Sequence, residues 1–203
     1  NGPNLSRLRL VDPKPELKRN HDYLVCYVGV MGFQDGVDYL IRAAHHVVSV
    51  RGREDIGFAI IGDGDYVEAL RKLAEELQLS DHLWFTGRIS DNELMDYLST
   101  ADVSAAPDPV NEFTDKCTFI KVAEYMAMKK PVVAFNISET RYTAQEAAVY
   151  VENNDIAEFG NKIIELIDDP VRRQEMGEFG RRRVETSLTW DHSKPNLIEA
   201  YRR

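Results

Sequence analysis

The sequence predicts an α/β fold in which a parallel sheet of about six strands is covered by helices on both faces. Short apolar segments alternate with helical patterns along most of the 203 residues. The apolar segments at residues 23–28 and 58–61 are continuous, which is typical of central parallel strands that are buried on both sides. The helical patterns between them are long enough to cross from one parallel strand to the next.

Each element is predicted from a local pattern, taken here in chain order. The opening residues 1–18 read as a loop. Strands are predicted at residues 23–29, 57–62, 82–87, 102–107, 131–136 and 147–152. Helices are predicted between them at residues 37–50, 66–77, 91–100 and 118–128. The rest of the chain is predicted to be a helical tail, with helices at 155–167, through Val184 after a break at 168–170, and after Trp190.

The composition predicts a soluble domain of a reducing compartment. Asp and Glu number 34 against 25 Lys and Arg, and this net charge of −9 disfavours a general attraction to DNA or RNA. Cys26 in a predicted buried strand and Cys117 near a predicted helix start do not suggest a disulfide framework. No apolar segment approaches the roughly 20 residues that span a bilayer, and we read no signal peptide. We therefore expect a cytoplasmic location.

The segment 115–136 carries the strongest functional signal, because it reads as a polar loop, an amphipathic helix and a buried strand. The first amides of such a helix are unpaired and its dipole favours an anion, so the junction Lys116-Cys117-Thr118 can bind phosphate. Glu124, further along the helix, is placed to accept hydrogen bonds from hydroxyl groups. Phosphate and hydroxyl groups together describe a nucleotide sugar, although an ordinary helix packed on a sheet shows the same pattern.

The loops after the strands are further candidates, because ligands of parallel α/β sheets bind beyond the carboxyl ends of the strands. The first loop, residues 29–36, contains three glycines, among them Gly29 and Gly32, which either admit a phosphate or form a simple turn. The second, residues 62–65, has two carboxylates that would repel phosphate, and we interpret it as structural. The third contains Arg88, which either reaches an anionic or planar ligand or remains an exposed side chain.

Two weaker features concern metals and membranes. His45-His46 has no second pair of ligands at a useful spacing, so we predict no metal site. The arginine cluster 181–183 predicts a solvated face, with a contact to anionic lipid as the minor alternative.

The ordered set of motifs resembles the C-terminal domain of family-4 (group 1) retaining glycosyltransferases of the GT-B fold. The likeness covers nearly the whole chain, and its matching segments are residues 27–29 with 35–36, 60–64, 84–88, 97–103, 124–127 and 131–134. The resemblance implies a Rossmann-like donor-binding domain at residues 21–203, which is one half of a GT-B fold. It also implies that residues 1–20 are the end of an inter-domain linker and that the N-terminal acceptor domain is absent from this chain.

The activity implied by the resemblance is transfer of a hexosyl-type group from a nucleoside diphosphate sugar to an acceptor, with retention at the anomeric carbon. The nucleotide sugar is a substrate, and no cofactor is expected. In that family two glutamates, spaced as residues 116 and 124 are here, bind the sugar and the ribose respectively. Glu124 matches the second, whereas Lys116 replaces the first. The family's two phosphate-binding cations in the first loop align with Val30 and about Asp35, so both are missing.

The resemblance and these departures together define an expected site. Lys116, the amides of Thr118 and Phe119, and Arg88 would supply charge to the diphosphate. Backbone around Arg88 and Ile89 would face the base, while the catalytic residues are expected in the absent domain. The whole predicted donor-binding set is Gly29, Gly32, Arg88, Ile89, Lys116, Thr118, Phe119 and Glu124.

Two alternatives stay open at this point. A non-catalytic nucleotide-sugar-binding module would explain the missing phosphate cations. A nucleotide-sugar epimerase of the GT-B fold would need acid–base carboxylates and histidines near the sugar, where this chain offers Lys116. The expected partners are a nucleotide sugar and the N-terminal acceptor domain of the same polypeptide, with no nucleic acid and with a peripheral membrane contact of the full-length enzyme as a minor expectation. The sequence selects no nucleotide, sugar or acceptor, although precursors in polysaccharide biosynthesis are typical of the family.

Overall fold

The central sheet has six parallel strands in the order β3-β2-β1-β4-β5-β6, which confirms the predicted fold class. The computed structural model describes residues 2–202, apart from the side chains of residues 191, 193 and 196. Asn1 and Arg203, the outermost residues of the predicted linker and domain, lie outside the described residues. The strands are β1 (Tyr23–Val28), β2 (Ile56–Ile61), β3 (Leu83–Gly87), β4 (Val103–Ala106), β5 (Val132–Phe135) and β6 (Ala148–Val151).

The crossover helices lie close to their predicted positions. The α-helices of the described chain are α1 (Val37–His45), α2 (Val67–Glu76), α3 (Asp91–Thr100), α4 (Ile120–Ala127), α5 (Ser138–Ala144), α6 (Ile156–Asp168), α7 (Pro170–Arg183) and α8 (Trp190–Arg202). Two of them continue as π-helical turns, α1 into His46–Val50 and α7 into Val184–Leu188. Helix α4 begins two residues later than predicted, and Cys117 therefore lies in the preceding loop. Helix α5 was not predicted, because its sequence has no apolar periodicity.

The sheet is buried on both faces, as the continuous apolar strands predict. Successive residues of β1 point to opposite sides, so Val25 and Tyr27 belong to one core and Leu24 and Cys26 to the other. Each fully buried large apolar side chain contributes roughly 1.5–3 kcal/mol relative to an exposed one. Both cores therefore hold the strand ends in fixed positions.

Basic side chains from other elements lie at the carboxyl ends of several helices, and we call these contacts the basic helix caps. Lys130 donates hydrogen bonds of 2.8 Å to two carbonyls at the end of α3. Arg181 donates to the last carbonyl of α4 at 2.6 Å, and Arg183 donates to two carbonyls of α5 at 2.8 Å. These contacts pair carbonyls that a helix end leaves free and complement its dipole. The predicted solvated face at residues 181–183 is therefore wrong for Arg181 and Arg183, since both are used within the domain.

The amino-terminal segment, residues 2–20, is fixed along α3. Leu8 is buried, and the backbone amides of Val11 and Lys14 donate to the hydroxyls of Ser99 and Thr100 at 3.2 and 2.8 Å. The predicted loop contains one short 3-10 turn, Pro15–Lys18. This segment brings charged side chains to the carboxyl edge of the sheet.

Candidate functional site

The chain adds β2 and β3 on one side of β1 and then β4, β5 and β6 on the other side. The direction in which strands are added to the sheet therefore reverses between β1 and β4, and we call this point the reversal of the sheet. Their pairing is short, with Val25 opposite Val103 and Cys26 opposite Ser104. Beyond these pairs the two strands diverge toward their carboxyl ends. In sheets of this class ligands bind in the crevice at such a reversal.

Tyr125 of α4 fills the gap between the diverging strands. Its hydroxyl accepts a 2.8 Å hydrogen bond from the amide of Val28 and lies 3.3 Å from the carbonyl of Ala105. The side chain is fully buried, and burial raises the pKa of Tyr125 well above its usual value, so the hydroxyl keeps its proton. Tyr125 thereby holds α4 with its first turn facing the crevice.

A cavity of about 370 Å³ opens on the β1 side of the crevice. Its walls come from the carboxyl ends of β1 and β2, the loops after β1, β2 and β3, the start of α3 and the amino-terminal segment. Its lining residues are Arg7, Val28, Gly29, Val30, Ile61, Gly62, Asp63, Arg88, Ile89, Asp91 and Leu94. The loops touch closely, because a Cβ atom on Gly62, whose φ is +132°, would lie 1.9 Å from the carbonyl oxygen of Gly29. The volume falls within the usual range of small-molecule pockets.

Arg7 of the amino-terminal segment connects this cavity to Glu124. Its guanidinium lies 3.0 Å from the carboxylate of Asp91 and 3.2 Å from that of Glu124. Burial raises the pKa of Glu124, and the charge of Arg7 opposes that effect. Glu124 therefore lies at the edge of the cavity with a cation beside it, although the cavity wall itself is formed by other residues.

A buried ion pair lies on the other side of the crevice, where β4 leads into α4. Lys121 Nζ is 2.7 Å from Asp108 Oδ1, and the two side chains are only 11% and 2% exposed. The same ammonium is 4.8 Å from the ring centroid of Tyr27 and 5.2 Å from that of Phe119. Burial raises the pKa of Asp108 even though Lys121 lowers it. We define Tyr27, Asp108 and Lys121 as the switch-point cluster.

The predicted donor-binding set does not include Asp108 or Lys121, although Lys121 lies one helical turn after the predicted anion-binding junction. One signal was available: Lys121 precedes the buried Tyr125 by one helical turn, which places a charged residue on a face that packs inward. A lysine on such a face requires a partner. The partner itself was not evident, because Asp108 is separated from the helix by an irregular loop.

The predicted residues fall into two groups. Gly29, Arg88 and Ile89 line the 370 Å³ cavity, and Glu124 meets it through Arg7. The neighbouring glycine of the first loop, Gly32, donates its amide to the carboxylate of Asp35 at 2.8 Å, so the loop closes on itself.

The second group lies around the start of α4. Thr118 and Phe119 line a separate cavity of about 140 Å³, where the Thr118 hydroxyl is 3.2 Å from the carboxylate of Glu139. Lys116 is exposed on the 3-10 turn Thr114–Lys116 and lines neither cavity. The side chains of this group are therefore separate from the larger cavity.

The site carries no metal-binding cluster as far as the structure describes it: among the described side chains, no three His, Cys, Asp or Glu residues are arranged to hold a metal ion. Within residues 2–202, no helix combines the length and apolar character needed to cross a membrane.

Comparison with known proteins identifies the family. The model of the family "Glycosyl transferases group 1" matches residues 9–183, so the chain belongs to that family. A GDP-mannose-dependent monoacylated alpha-(1-6)-phosphatidylinositol monomannoside mannosyltransferase from Corynebacterium glutamicum is 32% identical over 159 residues, which are 77% of this chain and 41% of the relative. The chain thus spans about two fifths of the length of that curated relative.

Solved structures share the fold. HepE from Anabaena, in complex with UDP and glucose, superposes with a TM-score of 0.82 at 17% identity, over 99% of this chain and 55% of that chain. The C-terminal domain of the group 1 glycosyltransferase LpcC from Francisella tularensis gives a TM-score of 0.76 at 19% identity, over 93% of this chain and 100% of that chain. The domain is accordingly one half of a GT-B fold.

Proposed function

We propose that this chain is the donor-binding half of a glycosyltransferase that uses a nucleoside diphosphate sugar and retains the anomeric configuration. The observation that carries the proposal is the cavity at the reversal of the sheet, with Glu124 at its edge. Similar proteins support a nucleotide-sugar donor: one relative is a GDP-mannose-dependent mannosyltransferase, and one structure of the same fold holds UDP and glucose.

The nucleoside fits the 370 Å³ cavity in this proposal. Backbone at Arg88 and Ile89 faces the base, and Gly29 leaves room at the first loop. Glu124 accepts hydrogen bonds from the ribose hydroxyls once Arg7 turns aside, since a carboxylate has acceptor capacity for two neighbouring hydroxyls.

The diphosphate then extends from the ribose toward the first turn of α4. The amides of Thr118 and Phe119 lie at that helix start, and Lys116 precedes them. Cations and helix amides stabilise the negative charge that develops on the leaving diphosphate, which is the contribution this half makes to catalysis. The acceptor and the remaining catalytic groups belong to an N-terminal domain of the same polypeptide, so the chain alone binds donor and turns over poorly or not at all.

The acceptor class is proposed from relatives alone. The Corynebacterium enzyme acts, by its name, on a phosphatidylinositol mannoside, which is a lipid-linked acceptor. A similar acceptor would bring the whole protein to the cytoplasmic surface of a membrane, as a peripheral contact. The arginines Arg181 and Arg183 contribute little to such a contact, because their guanidinium groups are bound to carbonyls of α4 and α5.

A second candidate is a binding module without catalytic activity, and the first loop favours it. Val30 is 65% exposed where a phosphate-binding cation would serve a transferase, and the Asp35 carboxylate accepts the amide of Gly32. Catalytic turnover by the full-length protein would decide against this candidate.

Isothermal titration with UDP, GDP and ADP tests the proposal, followed by the sugar conjugates of the nucleotide that binds. We expect one nucleotide to bind selectively and Glu124→Ala to weaken it at least about tenfold, because a hydrogen bond to a charged group is worth about 1.5–3 kcal/mol. Glu68→Ala, an exposed carboxylate of α2, is the matched control and should bind normally. Absence of binding by all three nucleotides at millimolar concentration would overturn the proposed function.

A further inference from the structure

The switch-point cluster lies directly beneath the loop that borders the cavity. The Tyr27 hydroxyl donates a 2.7 Å hydrogen bond to the carbonyl of Val30, and a Cβ atom on Gly29 would lie 2.7 Å from the same hydroxyl. Lys121 faces the ring of that tyrosine. Its ammonium therefore lies between the carboxyl ends of β1 and β4, where the crevice opens.

The pair formed by Asp108 and Lys121 is difficult to explain as a stabilising contact. Buried ion pairs are often no better than apolar residues of the same volume, because removing two charges from water costs more than their attraction returns. In addition, Asp108 Oδ2 is buried without a hydrogen-bond partner among the described residues. An unsatisfied buried acceptor destabilises the folded state, so a role in binding explains the pair better than a role in folding.

The first turn of α4 differs from those of its neighbours in charge. It contains no acidic residue, and no side chain caps it. The other helices that begin at this edge of the sheet carry acids in their first turns, as with Asp38 in α1, Glu68 in α2, Asp91 and Glu93 in α3, and Glu139 in α5. The first turn of α4 therefore adds no negative charge of its own against an anion, and it presents a positive dipole together with Lys121, whose charge is partly offset by Asp108.

Lys121 also keeps capacity for a ligand. An ammonium group has three donors, and in the described part of the chain Lys121 makes one side-chain hydrogen bond, to Asp108. Its other neighbours are the rings of Tyr27 and Phe119, which attract a cation without using its N–H groups as an oxygen acceptor would. Asp108 thus holds the ammonium in place while two donors remain for a phosphate oxygen.

We propose that Lys121, positioned by Asp108 and Tyr27 at the reversal of the sheet, is the cation that binds the diphosphate of the donor. This inference rests on the proposed function. In it, Lys121 supplies the positive charge for the diphosphate that the first loop, with Val30 in place of a cation, does not supply. This assignment differs from the expectation for Lys116, whose side chain is exposed on the preceding 3-10 turn, whereas Lys121 is 11% exposed and fixed by Asp108.

The test compares the nucleoside, its monophosphate and its diphosphate, for whichever base binds the wild-type chain, by isothermal titration. The ratio of the monophosphate Kd to the diphosphate Kd measures the contribution of the terminal phosphate. We expect the double variant Lys121→Met with Asp108→Asn, which leaves no buried charge unpaired, to reduce that ratio about tenfold or more while nucleoside affinity stays unchanged. Lys72→Met, which changes an exposed lysine of α2, is the matched control and should leave the ratio unchanged, whereas Lys116→Met tests the other candidate cation and should change it less than about threefold.

The conservative variant Lys121→Arg keeps the experiment decisive if the double variant does not fold, as judged by thermal unfolding. Because a guanidinium group also donates to phosphate, Lys121→Arg should still bind the diphosphate more tightly than the monophosphate. A double variant that folds and keeps the wild-type ratio would overturn the assignment of Lys121, and so would a larger loss in Lys116→Met. Failure of the wild-type chain to bind any nucleotide is a different outcome, because it removes the proposed function itself.

Discussion

The two sides of the crevice are held together by different kinds of contact. On the β1 side, the loops after β1, β2 and β3 enclose a cavity and touch where Gly62 meets Gly29, and the charged side chains there, such as Arg88, are exposed. On the β4 side, the contacts are made by charged and polar side chains of α4 and the loop before it. The first side depends on close backbone contact, whereas the second holds its charges in a buried pair. Substitutions on the two sides should therefore differ in kind as well as in size.

The largest effect is expected from Gly62→Ala on the β1 side. The added Cβ would lie 1.9 Å from the carbonyl oxygen of Gly29, and the φ of +132° is itself unfavourable for a side chain. We expect the free energy of unfolding in urea to fall by about 3 kcal/mol or more. Gly52→Ala is the matched control, because its φ is +67° but no atom lies within 4 Å of the added Cβ, and it should lose only about 1 kcal/mol. Equal losses would show that the loops do not restrain each other.

The next effect belongs to Tyr125→Phe on the β4 side. Loss of the hydroxyl leaves the amide of Val28 without its partner in the gap between β1 and β4. We expect a loss of about 1–3 kcal/mol in the free energy of unfolding, measured in urea. Tyr142→Phe, which changes a largely exposed tyrosine, should lose nearly nothing. A loss no larger in Tyr125→Phe than in this control would mean that the hydroxyl does not join the strands.

Arg7→Ala should have a small effect on stability, because it removes two partly exposed ion pairs that connect the two sides. We expect the free energy of unfolding to change by less than about 1 kcal/mol. Nucleotide affinity should stay the same or increase, since Glu124 is then freed for the ribose. The control is Arg9→Ala, which loses a hydrogen bond to Asn92 on the same segment. A strong decrease in affinity in Arg7→Ala alone would instead make Arg7 part of the donor contacts.

A pH dependence should distinguish the buried carboxyl of the β4 side from exposed carboxyls. The groups around Asp108 are Lys121, which lowers its pKa, and Asp35, which raises it, with the hydroxyls of Tyr27 and Tyr125 nearby. Because burial raises the pKa of Asp108 in the folded state, the folded protein holds this proton more tightly than the unfolded chain does. The group therefore favours folding below its unfolded pKa and loses that contribution as pH rises through its folded pKa.

Asp108→Asn removes this contribution. We expect the wild-type protein to gain stability relative to Asp108→Asn as pH falls from neutral toward the usual carboxyl range, because the pKa of Asp108 is raised in the folded state. Taking the difference between the two proteins cancels the titration of the other carboxylates. A difference that stays constant with pH would mean that Asp108 titrates in the same way in both states.

The fold was predictable from sequence to the extent that it depends on local patterns. Each apolar segment became a strand, because continuous burial leaves a signal within a few residues. Helix α5 left no such signal, since the amide of Ser138 is satisfied by the carboxylate of Asp115 from a distant loop. Its start is therefore set by tertiary structure.

The candidate site was predictable only in part, because some of its residues are brought together by contacts between distant parts of the chain. Arg88 and Ile89 follow directly from a strand end, and they do line the larger cavity. The contact between Arg7 and Glu124 joins positions 117 residues apart in sequence, and no spacing rule predicts such a contact. The pair of Asp108 and Lys121 depends on how a loop folds back over α4, which the pattern of the helix does not reveal.

The basic helix caps contribute little to the rate at which an anion reaches the crevice. They lie at the amino edge of the sheet, and a strand of six residues separates that edge from the crevice by about 20 Å. This separation exceeds the Debye length of about 10 Å at 0.1 M ionic strength, so these cations exert little pull on an approaching ligand. A chain with a net charge of −9 instead repels it at long range. Added salt should therefore speed association with a nucleotide, even though the same salt weakens the contacts made after arrival.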